Sequence, residues 1–132
     1  MTQAAQIVWF KRDLRVKDHA PLFAASQEGA PIIPLYIIEP EYWQQPFASR
    51  RHWHYIHDSL VDLNAALTDL GQPLIVKIGT ACDVLVDLKK FYGSQTIWAH
   101  EETGNRWTYN RDIAVRSACS KNGISAATLP AA

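Results

Sequence analysis

The sequence predicts an α/β fold, a three-layer, doubly wound, five-stranded parallel sheet with helices on both faces. Three observations carry that expectation. Apolar runs of strand length alternate along the whole chain with longer segments whose apolar residues recur at helical spacing. The strand-like runs at residues 7–10 and 32–38 are apolar nearly throughout, as strands covered on both faces must be. The 132 residues are 48% hydrophobic, enough for one domain around one core, and show no repeat, low-complexity tract or linker.

The elements follow in order. Residues 7–10 form the first strand, and Asp18 is placed to cap the helix behind it. Pro21 is tolerated there because the first turn has unpaired amides anyway, and the helix is expected to run to about Gln27 before Gly29 ends it. Residues 32–38 are the second strand. Residues 39–49 carry two prolines and three aromatics, a connection long enough to be functional. Ser49 caps the next helix, where Trp53, Ile56, Leu60, Leu63, Leu67 and Leu70 form an apolar stripe that Gly71 and Pro73 terminate. Residues 74–78 are the third strand. Thr80 and Asp83 cap a helix with Val84, Leu85, Leu88 and Phe91 on its buried face. Residues 96–99 are the fourth strand, 106–121 the last helix and 124–128 the fifth strand. Right-handed crossovers through these helices give a Rossmann-like sheet.

Composition excludes several functions. Thirteen basic and thirteen acidic residues cancel, whereas a domain that grips duplex DNA unaided shows a basic excess. No apolar stretch approaches a bilayer span and the first residues lack a secretory pattern, so the chain reads as cytoplasmic and without membrane partners. Cys82 and Cys119 read as reduced thiols. The chain lacks a Gly-x-Gly-x-x-Gly turn, a phosphate-binding loop ending in Gly-Lys-Ser/Thr and a Gly-x-Ser-x-Gly elbow. Dehydrogenase, nucleoside triphosphatase and serine hydrolase chemistry are therefore disfavoured.

The informative string is Val8-Trp9-Phe10-Lys11-Arg12-Asp13-Leu14-Arg15, where an apolar strand delivers charge to the carboxyl edge of the sheet, the ligand edge of open α/β folds. Three strand exits, residues 11–15, 39–47 and 100–105, meet on that edge. They bring Arg12, Asp13, Glu39, Glu101 and Asn105 beside Trp43 and Phe47, a setting that suits a flat heterocycle. The competing reading is a solvated strand end whose Arg and Asp pair with neighbours. His52, His54 and His57 make a poor metal set, since only the last two are helical neighbours, so no metal is expected. Lys89-Lys90 reads as a solvated helix end, and Trp107 and Tyr109 as core or crevice aromatics.

The opening string, with Asp18 and Leu22 behind it, resembles the start of the DNA photolyase/cryptochrome family. The segment Thr103-Gly104-Asn105-Arg106-Trp107-Thr108-Tyr109, followed by Arg111-Asp112, is similar to a passage in bacterial members. The resemblance implies an N-terminal α/β domain, here residues 1–132, that holds a light-harvesting antenna chromophore. It further implies a C-terminal helical domain that binds FAD and grips DNA carrying a pyrimidine dimer. That domain lies outside these residues, so FAD and damaged DNA are expected only with the full-length protein, and no catalytic residue is expected in this chain. Arg12, Asp13, Leu14, Arg51 and Glu101, with Trp107, are the candidate antenna contacts.

Two departures matter. Folate-binding members place a His before the second helix and an Asn-Glu pair at the start of the last, positions taken here by Pro46, Trp107 and Thr108. A flavin or deazaflavin is therefore favoured over a folate. His19 stands where Asn is usual, a change expected to matter little. Alternatives are the same domain of a cryptochrome photoreceptor, a stand-alone nucleotide-binding module of the stress-protein or electron-transfer-flavoprotein type, and a purely structural domain. The module would need a phosphate-holding Gly-rich turn, for which Gly79-Thr80 is the nearest candidate.

Overall fold

The computed structural model describes residues 5–93, 96–102 and 105–130. Five strands, β1 (Gln6–Phe10), β2 (Ile32–Ile38), β3 (Ile75–Ile78), β4 (Thr96–His100) and β5 (Ser125–Leu129), pair in parallel in the order β3-β2-β1-β4-β5. The helices are α1 (Ala20–Ser26), α2 (Pro40–Trp43), α3 (Arg50–Asp69), α4 (Ala81–Tyr92) and α5 (Arg106–Lys121). The doubly wound parallel sheet expected from the alternation is the observed fold.

β1 lies at the centre because every one of its residues can be buried. Its neighbours fix its register, Val8 against Pro34 of β2 and Trp98 of β4. The pleat sorts its side chains between two cores. Ile7 and Trp9 join Leu35, Ile37, Leu85, Leu88 and Val115 beneath α4 and α5. Val8 and Phe10 join Ala25, Leu63 and Leu67 beneath α1 and α3. Gln6 closes the amino edge, its Nε2 donating to Ala25 O at 3.0 Å and its Oε1 accepting from the Trp98 indole at 2.8 Å. β3, the shortest strand and a sheet edge, leaves Val76, Lys77 and Ile78 exposed.

The local signals hold with four corrections. His19, not Asp18, caps α1, its Nδ1 accepting from the Leu22 amide at 3.1 Å, while Asp18 takes the left-handed backbone at φ 50°. A turn of helix, α2, forms inside the connection after β2, too short for any periodicity to show. Leu70 and Phe91 continue the apolar spacing but are 69% and 79% exposed. Leu70 follows the last residue of α3 and Phe91 lies in the last turn of α4, past the reach of the sheet. Ser49 and Thr80 cap as their sequence positions predict, accepting from the amides of His52 and Asp83.

The stripe of α3 can therefore be split by mutation. Leu63→Ala removes a side chain that is only 2% exposed and is expected to cost about 2–5 kcal/mol. Leu70→Ala should stay within about 0.5 kcal/mol of the parent. Urea unfolding midpoints measure both, and equal losses would place Leu70 in the core.

Candidate functional site

The site is built where β1 and β4 end side by side. After Phe10 the chain turns back on itself, and Asp13 holds that turn. Its Oδ1 accepts from the Lys11 amide at 2.8 Å, and its Oδ2 accepts from His100 Nδ1 at 2.6 Å. His19 Nε2 lies 2.6 Å from the same Oδ2, a close polar contact rather than an aligned hydrogen bond. The cap to Leu22 uses the lone pair of His19 Nδ1, so the neutral ring carries its proton on Nε2, toward Asp13. Burial alone would raise the Asp13 carboxyl. The contacts with His19, His100 and the Lys11 amide outweigh it and hold the group well below the usual carboxylate range.

Asp13, His19 and His100 present three possible metal-ligand atoms within 4.8 Å of one another. Both ring nitrogens that face Asp13 lie against one carboxylate oxygen, so the arrangement serves as an internal clamp between β1, α1 and β4.

Lys11 links this clamp to a second cluster. Its ammonium is buried, donates to His100 O at 2.9 Å and pairs with Asp112 at 3.1 Å. Burial lowers its pKa, against the opposing pull of Asp112. Arg111 spreads its donors over three acids, reaching Asp112 at 2.8 Å and also Glu39 and Glu102. Lys11 and Arg111 lie 4.4 and 4.9 Å from the centre of the Trp9 ring. Two cations thus face three carboxylates in a poorly solvated space. Burial pushes Glu39 up to about 7; the charges of Glu102 and Asp112 add to the rise, and Arg111 pulls against it.

Two clefts flank the Glu39–Arg111 pair. The first, between the β1 exit and α2, is walled by Trp9, Arg12, Tyr42, Trp43 and His52 and has a cavity volume of about 30 Å³, room for water only. Tyr42 is the hub of an aromatic cluster that reaches past this cleft, with ring centres 5.0 Å from Trp43, 5.1 Å from Phe47 and 5.5 Å from Trp107. The second, between the starts of α4 and α5, is about 290 Å³ and is bordered by Trp107, Asn110, Gly79 and Cys82.

The three strand exits converge as the sequence predicts, but not every candidate reaches a cleft. Arg12 lines the first and Trp107 the second. Asp13 lines neither, its oxygens being taken by the clamp: it is paired, as the competing reading expects, but buried rather than solvated. Leu14 packs into the core beneath α3. Arg51 is exposed on the first turn of α3, and its neighbour His52 faces the first cleft instead. Glu101 is exposed, and Glu102 takes the inward place. Asn105 caps α5 by accepting from the Thr108 amide, while Thr103 and Gly104 lie outside the described residues. His19 matters more than expected, since it both caps α1 and meets Asp13. Lys89 is no merely solvated residue, since it donates to the carbonyls of Asn122 and Gly123 at the end of α5. Sequence reasoning missed Lys11, His100 and Arg111 as organisers, although Arg111-Asp112 stands in a segment it had marked.

The sequence model of the family described as DNA photolyase matches residues 6–132. The chain belongs to the DNA photolyase family. It is 37% identical over 94 residues to a deoxyribodipyrimidine photo-lyase of Agrobacterium fabrum, an alignment covering 71% of this chain and 19% of the relative. It is 31% identical over 103 residues to a chloroplastic/mitochondrial cryptochrome DASH of Arabidopsis thaliana, covering 74% and 18%. Among solved structures, a photolyase of Sulfolobus tokodaii with two FAD molecules superposes with a TM-score of 0.86 at 28% identity, covering 96% of this chain and 29% of that one. A class III photolyase of Agrobacterium tumefaciens gives 0.87 at 27% identity, covering 98% and 26%. The chain therefore spans under a third of the photolyases and cryptochromes it matches. Among the described residues, no helix is long and apolar enough to cross a membrane.

The depressed pKa of Asp13 gives a signed expectation. Its contribution to stability is present above the ordinary carboxylate value of about 3.9 and is lost as pH falls through the lower folded value. Asp13→Asn should cost about 1–3 kcal/mol at pH near 7, where a buried charged acceptor is removed. The gap to the parent should narrow toward pH near 3. Urea titrations at both pH values check this, and a gap independent of pH would show that Asp13 acts by shape alone.

Proposed function

We propose that this chain is the N-terminal light-harvesting domain of a DNA photolyase that splits UV-induced pyrimidine dimers with blue or near-UV light. The observation that supports it is the aromatic cleft with Arg12 at the carboxyl edge of the sheet, where β1 and β4 diverge to opposite crossovers. Tyr42 and Trp43 offer flat faces to an antenna ring, and Arg12 offers donors to its carbonyls. Ring entry needs α2 to swing outward. That turn, Pro40–Trp43, holds no fully buried residue, so its displacement costs the packing of Trp43 against the cluster of Tyr36, Ile56 and Leu60 and no more of the core.

The chromophore is a flavin or deazaflavin rather than a folate. Pro46 has no side-chain donor, Trp107 has no carboxylate, and the Thr108 hydroxyl is already turned to Asn105. The Sulfolobus tokodaii photolyase, described with two FAD molecules and a novel light-harvesting cofactor, lends weight to a flavin. The catalytic FAD and the damaged DNA belong to a C-terminal helical domain packed against this one, in keeping with the zero net charge here. With its cysteines free, the protein works in the cytoplasm. A cryptochrome photoreceptor is the second reading, favoured by the cryptochrome DASH relatives, and a dimer-repair assay on the full-length protein separates the two.

Titrating antenna-free, full-length protein with FMN, a deazaflavin and a methenyl folate tests the chromophore. Stoichiometric uptake of one of the tricyclic rings is expected, weakened at least about tenfold by Arg12→Ala, roughly the value of one charge-assisted hydrogen bond. Tight uptake of the folate with no response to the other two would sink the choice.

A further inference from the structure

The second cleft is not part of the aromatic one. It opens on the other side of the Glu39–Arg111 pair, is nearly ten times larger at about 290 Å³, and needs no movement to be entered. That volume lies at the lower end of small-ligand sites, about 300–1,000 Å³.

Its shape is set by small residues facing a large one. On α5, Trp107, Asn110, Arg111 and Ala114 fall at positions 0, 3, 4 and 7 and share one face. Opposite them, the β3 exit and the start of α4 offer only Gly79, Thr80, Ala81 and Cys82. Gly79 takes a φ of 152° and a Cβ there would crowd Val84 at 3.3 Å, so only glycine lets the chain hug α4 at this edge of the slot. A slot with an indole on one side and small residues opposite, rimmed by Pro40, Glu41 and the Glu39–Arg111 pair, accepts a flat ring.

Its polar groups choose the ring. The Asn110 carboxamide is exposed and makes no side-chain hydrogen bond to another described residue, so its donor and acceptor are both available. That pair matches the amino group and ring nitrogen of adenine, the edge that Asn reads wherever it meets that base. Glu41, exposed on the rim, adds an acceptor for an amino group or a sugar hydroxyl. The cation bordering the slot is Arg111, and Glu39, Glu102 and Asp112 already surround it. A phosphate placed there meets carboxylates rather than a free charge, so the slot suits an uncharged nucleoside rather than a nucleotide.

We propose that the α4–α5 cleft is a second ligand site, independent of the antenna cleft, that binds an adenine nucleoside group by the face of α5 bearing Trp107, Asn110 and Ala114. The group comes either as a free nucleoside or as the adenosine end of a dinucleotide, two sources that share this recognition.

Calorimetric titration of the full chain with adenosine, inosine, AMP and FAD tests the site. Adenosine should bind, inosine about tenfold more weakly for want of the amino group, and AMP more weakly than adenosine. Ala114→Leu fills the slot from an exposed helix position and should reduce adenosine binding at least about tenfold with an unchanged unfolding midpoint. Asn110→Ala should erase the preference for adenosine over inosine. FAD binding more tightly than adenosine, and losing that margin in Ala114→Leu, assigns the dinucleotide source; equal affinities assign the free nucleoside. No adenosine binding at millimolar concentration, inosine binding equally well, or an Ala114→Leu variant that binds as the parent does would overturn the proposal. None of those failures touches the antenna reading, which rests on the other cleft.

Discussion

One buried carboxylate, Asp13, holds the functional edge of this domain together. It gathers an amide from its own turn, a ring from the start of α1 and a ring from the end of β4, and so ties together three segments that meet only in the folded chain. A buried carboxylate without partners would neutralise or unfold its surroundings. Here the partners are in place, and the charge becomes an anchor. Lys11 extends the anchor across β4 through the His100 carbonyl and reaches α5 through Asp112. The cleft walls hang from that chain of contacts rather than from apolar packing alone.

The second cluster has a different balance. Arg111 is shared by three carboxylates, and Lys11 satisfies only one of them. Burial raises Glu39 to about 7, the charges of Glu102 and Asp112 add to the rise, and Arg111 opposes it. Glu39 stands between both clefts, so its proton lies where an antenna ring on one side and a second ligand on the other would feel it. The same cluster explains why the loop reads as ligand-binding in sequence although much of its charge is spent internally.

The fold was legible because its signals are local and repeated. Apolar runs marked β1 and β2 as central, and Ser49 and Thr80 marked helix starts, all from neighbours within four residues. Leu70 and Phe91 escaped because periodicity says where a face points, not where the partner surface ends. Much of the site escaped because its contacts are distant in sequence. Asp13 meets His100 across 87 residues, and Lys11 meets Asp112 across 101. The choice of Glu101 over Glu102 failed by one position, since no pattern sets the parity of a side chain just past a strand end. The resemblance to the photolyases supplied what spacing could not, and residues 6–132 belong to that family.

The central claim is that burial beside Glu102 and Asp112, with Arg111 shared among three acids, raises Glu39 until it is about half protonated at neutral pH. Side-chain carbon NMR of the protein, with the resonance assigned through Glu39→Gln, reads that ionisation directly. The account predicts a midpoint of about 7. A midpoint in the ordinary glutamate range, about 4.3, would show that Arg111 satisfies Glu39 fully and would contradict it.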